Sequence, residues 1–224
     1  MSDEWMRFTR PDDGWALPLV LPGPVRTART VVRRWALADA PALFRAIDES
    51  REAILPWMLW ALSEHRALED TEAYITKHLP GEGSTDFPMG IFDGETGAVI
   101  GSTGLHQVDG IRRCAEIGWW LHPERRGQGL CREAVAGLIG SALAPSGWGL
   151  HRLYALVAVP NARSRGVCEA LGLRLEARLQ RERYLGLPEK APHGWLDVLQ
   201  YAVLAEEWRA AEGRAEPRAW PHEV

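Results

Sequence analysis

Apolar and polar positions change period several times along the chain, and the changes divide it into elements. Residues 30–35 (TVVRRW) form a short run that predicts a strand. A helix follows, with Asp39 able to cap it, Pro41 suited to its first turn, and Leu43, Phe44 and Ile47 as its apolar stripe. Residues 51–62 (REAILPWMLWAL) are apolar but broken by Pro56, and read as a loop with short helical pieces. A second helix is expected over residues 70–79, stopped by Pro80-Gly81.

From Phe87 the period changes to that of strands. Residues 87–92 and 98–107 read as a hairpin around Asp93-Gly94-Glu95-Thr96-Gly97, and residues 111–121 as a further strand after the turn Asp109-Gly110. HPERRGQGL leads into a helix with Ala134, Val135, Leu138, Ile139 and Leu143 on one side. Residues 153–159 (LYALVAV) are a continuous apolar run, the mark of a strand covered on both faces. Another helix runs over 161–171 and ends at Gly172. Two strands, 173–185 and 197–204, flank the segment GLPEKAPHG, and a short helix over 205–211 closes the pattern. Residues 1–28, rich in Pro and Gly, read as an extension, and residues 209–224 as a polar tail. No internal repeat and no linker divides residues 29–208, which are expected to form one domain.

Composition narrows the function. The 224 residues are 46% hydrophobic and carry a formal charge of −4 with a pI near 6.0, which argues against broad nucleic-acid binding. Three cysteines, Cys114, Cys131 and Cys168, form no disulfide framework and no CxxC or Cys/His cluster for zinc, so no metal is expected and a reducing cytoplasm is the simplest compartment. The acidic start MSDEWMRF and the short, Pro-broken apolar stretch 16–25 fit neither a secretory signal nor a membrane span. Eleven tryptophans are many for this length. Trp57, Trp60 and Trp119 are candidates for a pocket wall beside the plainer reading as structural bulk.

The turn Arg126-Gly127-Gln128-Gly129 joins a strand to a helix start. Unpaired N–H groups and the positive helix end hold phosphate oxygens there, glycines allow close approach, and Arg125, Arg126 and Arg132 add charge. An ordinary strand-to-helix turn is the competing reading. Position 132 is Arg, not the third glycine of a dinucleotide fingerprint, and no Gly-Lys-Ser/Thr follows.

The strings AEIGWWLHPERRGQGLCREAV and VAVPNARSRGVCEALGL resemble the GCN5-related N-acetyltransferases (GNAT), more narrowly the RimJ/RimL branch, whose named members acetylate N-terminal amines of ribosomal proteins. The likeness runs over residues 29–208. It implies an α/β (α+β) fold, with a mixed, mostly antiparallel sheet splayed between its fourth and fifth strands and helices on both faces. It implies acetyl-CoA as cofactor, with its pantetheine arm in the split. Leu121 backbone would meet that arm from one side and Asn161 from the other. Arg126, Gly127, Gln128, Gly129, Leu130 and Cys131 would offer N–H groups to the diphosphate, and Arg165 would reach the phosphates. Two departures stand out: Glu124 where the family often has Gln or Arg, and Cys168 where many relatives carry a tyrosine acid.

The implied chemistry is attack of a neutral amine on an acetyl thioester in a ternary complex, which needs a base, an oxyanion donor and an acid. Glu116 is the candidate base and Ser164 the candidate acid. Ser164 is equally read as a hydroxyl bonding helix backbone, and Glu116 as a surface carboxylate. Cys168 could replace the missing tyrosine, although a buried inert thiol is the plainer reading, and the helix start could lower the pKa of Cys131. His106 could face the acceptor, with Trp57, Trp60 and Trp119. The expected acceptor is a peptide or protein N-terminal amine. A small amine (polyamine, amino acid or aminoglycoside) is the alternative, and a non-catalytic acyl-CoA sensor the rival from another class. A homodimer is expected only by analogy with the branch.

Overall fold

The computed structural model describes residues 23–79, 84–185 and 194–212, the last two by backbone alone. Eight strands form a single sheet: β1 (Val25–Arg26), β2 (Thr30–Arg34), β3 (Phe87–Asp93), β4 (Val99–Asp109), β5 (Cys114–Leu121), β6 (Arg152–Ala158), β7 (Arg174–Leu185) and β8 (Gly194–Leu204). Their spatial order is β1-β2-β3-β4-β5-β6-β8-β7, antiparallel throughout except for the parallel pair β5/β6. The helices are α1 (Ala40–Ile54), α2 (Leu68–Lys77), α3 (Leu130–Leu143), α4 (Ala162–Ala170) and α5 (Ala205–Glu212). β1 lies in the stretch read from sequence as an extension; residues 1–22 fall outside the described residues, as do Pro80-Gly81 and most of GLPEKAPHG. No described helix is long and apolar enough to cross a membrane.

Alternation along the strands assigns the two faces. Ala115, Ile117, Trp119 and Leu121 of β5 join Leu153, Ala155 and Val157 of β6 in a cluster with the α3 residues Ala134, Val135, Leu138 and Ile139. The opposite-facing Trp120 packs with Leu43 and Ile47 of α1 and Ile75 of α2. Helices therefore cover both faces.

Three boundaries differ from the sequence pattern, each because a carboxylate acts elsewhere. Asp39 does not cap α1: its oxygens take both Arg33 Nη atoms, at 2.7 and 2.9 Å, and the Ala36 N–H at 2.8 Å, which closes a 3-10 turn over Leu37–Asp39. Asp70 reaches back to the Arg66 and Ala67 N–H groups, so α2 begins at Leu68 instead of residue 70. The Asp109 carboxylate accepts from Ile111 and Arg112 N–H at 2.8 Å each, and this Asx turn delays β5 to Cys114.

Candidate active site

The site begins where the sheet comes apart. β5 and β6 pair only at Cys114↔Arg152, Ala115↔Leu153 and Glu116↔Tyr154. Beyond that register β5 stays paired to β4 as far as Leu121, and β6 to β8 as far as Ala158. The two strands therefore diverge, and the edges facing the split carry backbone groups without a strand partner. This is the splay expected between the fourth and fifth strands of the sequence reading, which are β5 and β6 once β1 is counted.

The glycine turn lies at the open end of β5. Gly127 and Gly129 have φ of 74° and 77°, a region that favours glycine, and a Cβ at 127 would meet nothing within 4 Å. The first ladder bond of α3 runs from Glu133 N–H to the Gly129 carbonyl, which leaves the N–H groups from Gly127 onward outside the helix ladder, whereas the Arg126 N–H, expected at the diphosphate, is taken by the Pro123 carbonyl at 3.3 Å because a 3-10 turn precedes it. Arg126 ties the turn to the strand, its Nε donating to the Leu121 carbonyl at 3.2 Å. Burial, and then the neighbouring Arg163, hold the Arg126 pKa below its ordinary value. The turn walls a cavity of about 340 Å³ together with Trp119, Leu121, Leu130, Cys131, Asn161, Arg163 and Ser164.

The residues expected at the phosphates fare differently. Gln128 contributes backbone alone: its carbonyl accepts from Arg29 and its side-chain amide donates to the Glu124 carbonyl at 3.1 Å. Arg165 is not on the cavity wall. It shares a side of α4 with Glu169, whose carboxylate accepts the Tyr201 hydroxyl at 3.3 Å, and it lowers the Tyr201 pKa against the stronger effect of burial. Arg163 lines the cavity instead. The Arg-Ser-Arg string offered both arginines; only the angular position on α4, set by Asn161 capping the helix through Ser164 N–H at 3.2 Å, separates them.

A second cavity, of about 460 Å³, adjoins the first and shares Trp57, Met58, Trp119, Asn161 and Ser164 with it. It brings Glu116, His106 and Trp60 to the same walls, with Arg183, which sequence reasoning missed. Glu116 stands at the last paired position of the split, opposite His106 on β4 and Tyr154 on β6, so the three share one face. Burial raises the Glu116 pKa; Arg183 opposes this, and Glu182 and Asp86 add to it. Its carboxylate accepts from Gln107 Nε2 at 3.3 Å. Burial lowers the His106 pKa against the pull of Asp86, whose Oδ1 lies 3.3 Å from His106 Nδ1. A neutral ring that donates from Nδ1 leaves Nε2 as an acceptor. The Ser164 hydroxyl has no partner among the described residues, so the backbone-bonding alternative is not what the side chain does.

Neither thiol is activated, which agrees with the plainer reading of Cys168 as a buried inert thiol. Burial pushes the Cys131 thiol up to about 12, opposite to the lowering expected from a helix start, with Arg126 offsetting little. Cys168 is fully buried, is likewise pushed up to about 12 by burial, and lies on the wall of neither cavity. Among the described residues no cluster of three or more His, Cys, Asp or Glu is placed to hold a metal.

A split sheet with a glycine turn at one end and a carboxylate at the crotch offers an extended site with room for an anionic group at one end and an ionisable side chain at the other. Comparison names the class. The family described as acetyltransferase (GNAT) domain matches residues 29–174. The chain belongs to that family and is, by membership, an N-acetyltransferase. YdaF of Bacillus subtilis (strain 168), named there as a proposed ribosomal N-acetyltransferase, is 33% identical over 112 residues, covering 50% of this chain and 57% of YdaF. The uncharacterized N-acetyltransferase YnaD of the same organism is 25% identical over 187 residues, covering 82% of this chain and 98% of YnaD. The solved structure of RimL, a ribosomal L7/L12 alpha-N-protein acetyltransferase in complex with coenzyme A, superposes with a TM-score of 0.72 at 20% identity, covering 81% of this chain and 97% of RimL. That likeness is one of fold.

Proposed function

We propose that the protein transfers an acetyl group from acetyl-CoA to a primary amine, and that the favoured acceptor is a peptide or protein N-terminus. The observation that carries this reading is the union of the two cavities across the split: Asn161 and Ser164 belong to both, with the glycine turn at one end and Glu116 at the other. The turn fits a diphosphate because it combines open N–H groups, left-handed glycines and the guanidinium groups of Arg126 and Arg163. Acetyl-CoA supplies the electrophilic thioester carbonyl. Glu116, its pKa raised by burial, takes a proton from the acceptor's ammonium, directly or through a water, and so frees the neutral amine that attacks the thioester carbonyl. The free Ser164 hydroxyl donates to the departing thiolate sulfur. Trp57, Trp60, Trp119 and His106 bound the acceptor side. In this reading the catalytic domain, expected over residues 29–208, also takes in β1 from Val25, so that the extension ends before it, and a tail follows over 209–224. The free cysteines suit a reducing cytoplasm.

The N-terminal acceptor is supported by the RimJ/RimL-type strings and by the name of YdaF. An α-amine is also the easier nucleophile, with a pKa of about 8 against about 10.4 for a lysine. The test is thiol release from acetyl-CoA with peptides of varied N-termini, polyamines and aminoglycosides run in parallel. Turnover with peptides is expected. Turnover with polyamines or aminoglycosides alone would replace the acceptor class, and CoA binding without turnover in any class would overturn the catalytic reading.

A further inference from the structure

We propose that Arg29, in the turn just before β2, is a positioning residue for the cofactor turn: it holds the Gln128–Gly129 peptide with its carbonyl outward and its N–H toward the diphosphate. This rests on the acetyl-CoA reading above.

The geometry is specific. Arg29 Nη1 donates to the Gln128 carbonyl at 3.0 Å. The rest of the fork is fixed on Glu133, with Nε and Nη2 each 2.7 Å from Oε2. The other carboxylate oxygen, Oε1, accepts the Arg29 backbone N–H and the Thr27 hydroxyl, both at 2.6 Å. Thr27 is itself locked into the β1–β2 turn through Thr30, by Thr27 N–H to the Thr30 carbonyl at 2.9 Å. Gly137 lets that turn press on α3, since a Cβ there would come within 2.9 Å of Thr27 Cγ2. The guanidinium is thus aimed from a rigid sheet edge at one carbonyl, from outside the cavity.

The turn needs such a brace. A trans peptide points its C=O and N–H in opposite directions. With the Gln128 carbonyl drawn outward to Arg29, the Gly129 N–H turns toward the cavity that Gly127 and Gly129 line. Gly129, at φ 77°, has no Cβ to resist rotation of the preceding peptide. A flip would present a carbonyl oxygen to the anion in place of a donor. The same glycine that admits the diphosphate therefore leaves the peptide's orientation to be set from elsewhere, and Arg29 is the group in contact with it. Arg29 also neutralises Glu133, a carboxylate one turn into α3 that would otherwise oppose an anion at the helix start.

The experiment is calorimetric titration with coenzyme A, without acceptor, on wild type, Arg29→Met and Arg29→Met/Glu133→Gln. Wild type is expected to bind; no binding by wild type would remove the cofactor reading itself. Arg29→Met is expected to weaken CoA by about tenfold or more. The double variant, which no longer carries the unpaired carboxylate, is expected to stay weak. Recovery of wild-type affinity in the double variant would overturn the proposal, because charge neutralisation would then be the whole effect. Unchanged affinity in Arg29→Met would overturn it outright. Should Arg29→Met not fold, Arg29→Lys is titrated in its place, since a single ammonium cannot bond Glu133 and the Gln128 carbonyl in the same fork; wild-type affinity there counts against the proposal. In steady state the loss falls on KM for acetyl-CoA, with kcat at saturation held.

Discussion

Replacing Glu116 by glutamine keeps shape and hydrogen-bonding reach and removes the ability to take a proton together with the carboxylate charge. A positioned base contributes about 10² to 10⁴ in rate, so turnover should fall at least 10²-fold, which corresponds to about 2.7 kcal/mol of barrier. The structure adds a second, opposite expectation. Burial raises the folded-state pKa of Glu116, so its contribution to stability is largest below the unfolded value and declines as pH rises through the folded one. At neutral pH the ionised carboxylate is a cost to the fold that glutamine does not carry. The variant should therefore melt at or above the wild-type temperature while being catalytically crippled. The assay is thiol release at saturating acetyl-CoA and acceptor from pH 5 to 9, where kcat reports groups of the bound complex. Wild-type kcat should decline as pH falls through the raised Glu116 value, and that limb should vanish in the variant. Turnover within threefold of wild type, or an unchanged acid limb, refutes Glu116 as the base.

Arg51 offers a test weighted to the acceptor side: its Nη1 donates to the Ala61 carbonyl at 2.5 Å and its Nη2 to the His65 carbonyl at 2.6 Å, pinning the loop that carries Trp57 and Trp60. Arg51→Met should raise KM for the acceptor several-fold and weaken CoA less, since Trp57 and Met58 of this loop wall both cavities while Trp60 walls the acceptor cavity and not the cofactor one; a loss on CoA as large as that on the acceptor would contradict this division. Glu176 accepts from Arg152 at 2.9 Å and from Arg174 at 2.7 Å, and the Arg152 hydrogen bond first, then Arg174, against burial, lower its pKa to about 2. That stability is present above about 4.5 and lost as pH falls toward 2, on the order of 2 kcal/mol after allowance for partial solvent screening. Urea unfolding of Glu176→Gln against wild type should show a gap at pH 7 that narrows at pH 3; a constant gap rejects the ion cluster as its source. Leu138 on α3 is fully buried, so Leu138→Ala should cost about 2–5 kcal/mol in urea unfolding, and a loss under 1 kcal/mol would mean that the core there closes over the space.

What could be read from the chain depended on how far apart the cooperating residues lie. The cofactor turn was legible because its physics is local: two glycines, flanking arginines and a helix start all fall within residues 125–132. The apolar run at residues 153–159 was equally plain, since a strand covered on both faces leaves its mark in consecutive positions. The misread boundaries at Asp39, Asp70 and Asp109 share one cause. A carboxylate can bond backbone on either side of itself, and only packing decides which; Arg33 takes Asp39 away from α1 across the sheet edge. Arg165 was expected at the phosphates and Arg163 was passed over for the same kind of reason, because the helix phase that turns Arg163 to the cavity is set by the Asn161 cap and the surface against which α4 packs.

The acceptor cavity shows why the other half was harder. His106, Glu116 and Tyr154 become neighbours only through strand register, and register is a property of three strands together. A one-residue slip of β5 would send Glu116 into the α3 core and put Ala115 or Ile117 opposite His106 in its place. The buried row Ala115, Ile117, Trp119 and Leu121 makes such a slip prohibitive, since it would expose the row and bury Glu116 in its place. The hydrophobic core of β5 therefore aims the carboxylate, and the same strand, where β6 leaves it, opens the backbone edge beside it. Position of the base and opening of the split have one origin in the register that ends at Glu116↔Tyr154. That coupling explains why Glu116 stands at the crotch of the split and not elsewhere on β5. One residue earlier the side chain would lie in the α3 core, where Ala115 sits; two residues later Gly118 occupies the same face and offers no side chain.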